Sequence, residues 1–291
     1  MTSEPSIFPT VATPNNHGTW EEAVLTLRRQ PNQQQLVLDA YYDDPLTNSA
    51  ARYYASEEWA DIRRWLGQKG GSAIDIGAGR GIASYALAMD GFVVSALEPD
   101  TSAIVGGEAI EGLAADTKLP ITVVRATAED IPVSDESFDV VFARAALHHT
   151  SDLKTACSEF FRVLRPGGRL IAVREHVISR QGDLSRFFEI HPLHRYYGGE
   201  NAYLLKVYLA AMRDAGFVVK QVRGPLESAM NTAPQTRASL CDAIANRTGP
   251  LRSLAKTVLS APGVWAALMP IVARIDHRPG RLFSFLARKP Q

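Results

Sequence analysis

The stretch AIDIGAGRGIASYALAMDGFVVSALEPD, residues 73–100, constrains this chain more than any other. An apolar run ending in Asp75-Ile76 meets Gly77, Gly79 and Gly81, and a helix-forming segment follows. Glycines let a backbone turn sharply from strand into helix and approach a ligand closely, while the new helix start offers unpaired N–H groups. Such a turn belongs to a parallel sheet wound by helices. The spacing also selects among ligands. A dinucleotide turn reads G-x-G-x-x-G and needs glycine at position 82, where Ile82 stands, so NAD and its nicotinamide chemistry rank second. Glu98 closes the next apolar run, where a carboxylate accepts hydrogen bonds from both hydroxyls of a ribose.

The rest of the chain agrees with a wound sheet. Strands are expected at 73–76, 93–97, 121–124, 138–143 and 170–174, with helices at 82–88, 101–115 and 153–164 between them. A helix at 202–215 precedes a sixth strand in GFVVKQV, and RLFSFLARK makes a seventh, able to pair antiparallel at the sheet edge. LRPGGRL, 164–170, reads as a structural turn from helix into strand. Before the sheet, 20–29 and 33–66 read as helices, the second broken at Asp44-Pro45. The expected organisation is therefore a loosely ordered 1–19, a helical lid at 20–70, a ligand-binding core at 71–225, a helical insertion capping the substrate at 226–280, and the last core strand at 281–291.

Charge and cysteine usage narrow the function. Lys plus Arg and Asp plus Glu both number 31, so there is no positive excess to neutralise a nucleic-acid backbone. Cys157 and Cys241 match no zinc or redox spacing, and the first twenty residues lack the basic flank and apolar core of a signal peptide, so a cytoplasmic protein is expected. The longest uncharged stretch, 257–273, is short for a membrane span and is interrupted by Pro262, Gly263 and Pro270. It reads as a buried or cleft-lining helix pair, with contact to a greasy substrate or a membrane surface as the alternative. Oligomeric state is not legible.

A ligand with ribose and no required pyrophosphate fits S-adenosylmethionine. Here the chain resembles the class I methyltransferases that use it, in their small-molecule, type 11-like branch. AIDIGAGRG resembles the first motif of that family and ALEPD its acidic second motif. ATAEDIPVSDESFDVVFARAALHH is similar to the stretch carrying the adenine contact and fourth strand, and FFRVLRPGGRLIAV to the turn and fifth strand that close the core. The resemblance implies an α/β fold with a Rossmann-like seven-stranded sheet. It also implies that Asp75 and Gly77 hold the methionine end, Glu98 the ribose, and Ala128 with Glu129 the adenine, with Gly79, Gly81, Thr127 and Ala143 also in the cofactor site. The family often has an acidic residue where Thr127 stands, and a hydroxyl accepts more weakly.

Methyl transfer needs alignment of acceptor and methyl, exclusion of water and, for oxygen or carbon acceptors, often a base. His148 follows the fourth strand and is read either as a base or as support for the pocket. In the 174–203 segment, His191 and His194 join it as candidate catalytic residues, with Tyr196 and Tyr197 beside the acceptor. His176, His191 and His194 with nearby carboxylates can in principle hold a divalent ion that orients a catechol-like acceptor. Pro192 breaks the helical pair, however, and the spacing matches no established ligand set, so no metal is expected. Arg144 either holds an acidic acceptor or pairs with a carboxylate, and Tyr41 is read as a lid residue touching substrate. Motifs for methylating bases, glutamine or pyrimidine carbon are absent from the sequence. The expected activity is methylation of a small, bulky or partly hydrophobic molecule at oxygen, nitrogen or carbon. The rival readings are a nicotinamide oxidoreductase and a protein that binds S-adenosylmethionine without transferring its methyl group.

Overall fold

The computed structural model describes residues 18–261 and 263–291, so the expectation for 1–19 lies outside the described residues except at Gly18 and Thr19. Thr19 caps the first helix, Trp20–Arg29, reciprocally with Glu22. The helices Gln34–Asp39, Leu46–Tyr54 and Glu57–Leu66 follow, the last ending at Gly67 in the left-handed conformation.

Among the described residues, eight strands form one sheet: β1 (Gly71–Ile76), β2 (Phe92–Leu97), β3 (Ile121–Val124), β4 (Phe138–Arg144), β5 (Leu164–Ile178), β6 (Tyr203–Leu204), β7 (Val218–Arg223) and β8 (Arg281–Arg288). Their order is β3-β2-β1-β4-β5-β8-β7, with β6 paired to the far end of β5. The count is eight rather than the expected seven. The additional strand, β6, is two residues long, too short to show an apolar alternation in sequence. β1 to β5 are parallel, and β8 runs antiparallel to both β5 and β7.

Successive residues of the central strands enter two different cores. Ile74, Ile76, Val141 and Ala143 pack with Phe160, Tyr208 and Met212 from the helices Leu153–Val163 and Leu205–Asp214. Ala73, Val140 and Phe142 pack on the opposite face with Trp59, Ile62, Leu66 and Leu87. Strands buried on both faces read as continuous apolar runs, as these do. The insertion has a satellite core of its own around Leu240, Leu259, Trp265 and Met269.

Two features position the site. The chain winds from β1 through β2 to β3, then crosses to β4 on the other side of β1, so the loops leaving β1 and β4 diverge and open a crevice. In addition, β5 carries a bulge: between Ala172 and Glu175 it has one residue more than β8 opposite, and Arg174 takes φ +63°. The extra residue puts Val173 and Arg174 on one face and returns Glu175 to the face of Ala172, beneath the loop after β4.

Candidate active site

A cavity of about 610 Å³ fills the crevice, lined from the loops after β1, β2 and β4, from the bulged end of β5, and from residues 20–42. At one end is the glycine loop. Gly79 has φ +56°, and a Cβ there would lie 3.0 Å from the Trp20 ring, so the loop fits beneath the first helix only as glycine. The Glu98 carboxylate crosses from β2 and accepts from Gly79 N–H at 2.7 Å and Asp100 N–H at 3.0 Å. A carboxylate has about four lone-pair sites, so acceptor capacity remains for a ligand. Asp75 is buried at the end of β1 and accepts from the Ser84 hydroxyl at 2.6 Å. Burial pushes its carboxyl up to about 7, with the Glu98 charge adding to the rise; burial raises Glu98 as well.

The helical segment before β1 is fixed to this loop by Arg80. That side chain donates to the carbonyls of Tyr41 (2.9 Å) and Asp43 (3.0 Å) and pairs with Asp44. Arg28 holds the same stretch from the other side, donating to the Tyr42 carbonyl at 2.6 Å and pairing with Asp44 at 2.6 Å. Arg80 is hidden in the sequence between two glycines, and only the fold shows what it holds.

Arg144 lines the cavity and also pairs with a carboxylate. Glu58, wholly buried, accepts from its Nε at 2.7 Å and from Nη2 at 3.2 Å, and lies 3.7 Å from Arg174. The Arg144 pKa is raised because the Glu58 charge and hydrogen bond outweigh desolvation, whereas burial lowers that of Arg174. Tyr41 lies edge-on to Tyr53 beneath the Arg144 guanidinium.

Opposite the glycine loop, four imidazoles gather. His148 Nδ1 donates to Glu175 at 2.7 Å, and Glu175 also accepts from the backbone N–H groups of Ala146, Leu147 and His148. His148 contacts the rings of His149 and His176, and His176 contacts His191, at centroid distances of 4.2, 4.6 and 4.9 Å. Glu200 sits among them and accepts the Tyr197 hydroxyl. Desolvation lowers the pKa of His149, His176 and His191. At His148 the two carboxylates overcome desolvation and raise it to about 9, while the same imidazoles hold Glu200 well below the usual carboxylate range against its burial.

Of the residues expected from sequence, Asp75, Gly77, Gly79, Glu98, Tyr41, Arg144, His148, His191 and Tyr197 line the cavity. The others do not. Gly81 starts the helix Ile82–Met89, where a Cβ would crowd Ile110, and Ala143 is enclosed within the sheet. Thr127, Ala128 and Glu129 also stand apart from the cavity wall. Glu129 accepts from Ser151 N–H and hydroxyl and from Asp152 N–H, at 2.7, 2.9 and 3.2 Å, so its carboxylate ties down the chain entering the next helix. His194 stacks on Phe188 and Tyr196 joins the packing of the first helices. From the insertion, Pro234 lines the cavity.

Residues 74–172 match the methyltransferase domain family. They cover β1 through the middle of β5, the part that builds the glycine loop, Glu98 and the turn after β4. Over this stretch the chain carries a methyltransferase domain. It is similar to the O-methyltransferase resE of Aspergillus sclerotiorum, 28% identical over 62% of this chain and 67% of that one. It is also similar to the demethylmenaquinone methyltransferase of Clavibacter sepedonicus, 31% identical over 50% of this chain and 59% of the relative. The matches thus span two thirds or less of these relatives. The fold resembles that of the geranyl diphosphate C-methyltransferase from Streptomyces coelicolor A3(2), with a TM-score of 0.58 at 15% identity, covering 86% of this chain and 87% of that one. Beyond the domain itself, the four-helix approach to β1 and the insertion before β8 are what this methyltransferase domain is fitted with.

Proposed function

We propose that the protein is an S-adenosylmethionine-dependent methyltransferase acting on a small, partly hydrophobic molecule. The observation that carries this reading is a single cavity with the glycine loop, Asp75 and Glu98 at one end and the histidine cluster at the other. The donor set suits the cofactor. Buried Asp75 and Glu98 offer acceptors to an ammonium group and to ribose hydroxyls, and the glycine loop leaves room for a ligand to lie along the backbone. When bound, the cofactor supplies a methyl group on a sulfonium, a leaving group that needs no activation by protein.

The chain's own residues then have two tasks. Trp20, Tyr41 and Tyr42, stapled down by Arg80 and Arg28, cover the cofactor end and exclude water, so the 20–70 segment acts as the lid. The wall of Arg144, His148, His191 and Tyr197 faces the acceptor and orients it toward the methyl group. His194 and Tyr196, displaced from that wall, are left to packing roles. The name of one relative, the demethylmenaquinone methyltransferase, supports a quinone-like small molecule as acceptor. Buried free thiols at Cys157 and Cys241 support residence in a reducing cytoplasm.

Calorimetric titration with S-adenosylmethionine and with NAD tests the reading, followed by assay of S-adenosylhomocysteine formation over a panel of phenols and quinols. Binding of S-adenosylmethionine alone is expected. Glu98→Ala should weaken it by about 2–4 kcal/mol, roughly 30- to 1,000-fold, because charge-assisted hydrogen bonds are lost and the Gly79 and Asp100 N–H groups lose their acceptor. Binding of NAD instead would overturn the proposal. Binding of S-adenosylmethionine with no turnover on any acceptor would favour a protein that binds the cofactor without using it.

A further inference from the structure

Glu200 poses a problem in elementary electrostatics. Its Oε2 is buried and has no hydrogen-bond partner among the described residues, yet it lies within 3.4 to 3.9 Å of three imidazole Nε2 atoms. His148 approaches at 3.4 Å, His149 at 3.8 Å and His176 at 3.9 Å. A buried carboxylate oxygen in that position, ringed by nitrogens without an aligned hydrogen bond, is costly unless something occupies the space between them.

The opposite ring nitrogens say what the occupant is. His148 Nδ1 faces Glu175 Oε2 at 2.7 Å, and His176 Nδ1 faces the Gly280 carbonyl at 3.0 Å. Both partners can only accept, so both Nδ1 atoms donate, and each Nε2 offers a lone pair once an incoming ion has displaced any proton on it. Two lone pairs and one carboxylate oxygen then converge on one point. A ligating histidine is ordinarily held in this way, its far nitrogen donating to a carboxylate or backbone carbonyl. The support is also built into the fold. Gly280 has φ +77°, and a Cβ there would lie 2.5 Å from the Phe187 ring, so its carbonyl reaches His176 only as glycine.

We infer that His148 Nε2, His176 Nε2 and Glu200 Oε2 form a site for a divalent first-row transition ion. The three ligand atoms lie within 4.8 Å of one another. Bonds of about 2.1 Å place neighbouring ligand atoms about 3 to 3.5 Å apart, so rotating the rings by roughly an ångström closes the set. Two imidazoles and one carboxylate suit zinc or ferrous iron, and leave coordination positions open. Those positions face the cavity, which all three residues line, so the ion would take oxygen donors of the small molecule bound there. This set differs from the one looked for in the sequence. His148 comes from the turn after β4, His176 from β5 beyond the bulge and Glu200 from just before β6, and no local spacing joins them. The site stands on this cluster alone and holds whether or not the methyl-transfer reading does.

The test is calorimetric titration of chelator-stripped full-length protein with Zn2+, accompanied by the absorption spectrum of the Co2+ form. One equivalent per chain is expected, with the visible bands of cobalt in a nitrogen and oxygen ligand set. His176→Ala and the isosteric Glu200→Gln should each weaken uptake about 100-fold or more, while His277→Ala, an exposed histidine elsewhere, leaves it unchanged. Circular dichroism on each variant shows that the chain is folded. Folded Glu200→Gln and His176→Ala proteins that take up Zn2+ as the parent does would overturn the site, as would a parent protein that takes up none.

Discussion

Asp75 is the residue whose chemistry is most exposed to test. Burial puts its carboxyl at about 7, so the ligand-free protein holds it largely protonated in mildly acid solution. An ammonium group brought beside it favours the ionised form, so binding must expel the proton wherever it is present. The affinity for S-adenosylmethionine should therefore rise with pH, by up to about tenfold per unit below pH 7, and level off above it. Asp75→Asn should bind weakly with that slope removed. A parent affinity flat from pH 5.5 to 8 would show that the ammonium sits elsewhere. Stability follows the same group with its own sign. A carboxyl raised in the folded state binds more protons folded than unfolded between about pH 4 and 7, so stability falls through that window as pH rises, and the asparagine variant lacks this contribution.

At the scale of elements, the join between the helix Glu57–Leu66 and the sheet is electrostatic at its centre. Glu58 stands wholly buried against Arg144 from β4 and Arg174 from the β5 bulge. A buried pair adds little net stability over an apolar contact of the same shape, but removing one member strands the other. Glu58→Gln should cost about 3 to 5 kcal/mol in urea unfolding, because two half-buried guanidiniums lose their only charge partner in this cluster. The variant should also lose affinity for its acceptor, since Arg144 forms part of the cavity wall. A loss of less than about 1 kcal/mol would show that water reaches the arginines and screens them.

At the scale of the molecule, the insertion before β8 turns apolar side chains outward. Among the described residues no single helix is long and apolar enough to cross a membrane, and the pair Gly249–Ser260 and Val264–Ile275 is bent by 105°. It nevertheless exposes apolar side chains: Leu251, Leu254, Ile271 and Ile275 are 56 to 70% exposed. Arg247, Arg252, Lys256 and Arg274 of the same segment are also exposed, Lys256 paired with Asp242. An apolar face rimmed with positive charge is the composition of a helix that lies on an anionic lipid surface. The protein should sediment with vesicles containing phosphatidylserine and not with neutral ones, and Leu254→Glu with Ile271→Glu should abolish this while changing stability by less than about 0.5 kcal/mol each. Equal sedimentation of parent and variant would remove the membrane from the account.

What the sequence determined by itself is local. The glycine loop, the acidic end of β2 and the alternation of apolar runs with helices depend on near neighbours, because φ, ψ, turn sterics and burial on two faces are written within a few residues. These features correctly implied the wound sheet, and Asp75, Gly79 and Glu98 line one cavity in it. The tertiary structure decided everything that depends on where distant carboxylates fall. Glu58 looks like an ordinary acidic residue in the first turn of a helix, and becomes the buried counter-ion of two arginines. Arg80 becomes the anchor of the helical segment before β1. Glu129 accepts from the chain entering a helix at Ser151 and Asp152. His148, His176 and Glu200, spread over fifty residues, meet at one point because the β5 bulge and the reversal of strand order beside β1 bring their chain segments together. Such side chains converge only once sheet order and register exist, and a charge's role depends on the burial and partners that convergence creates.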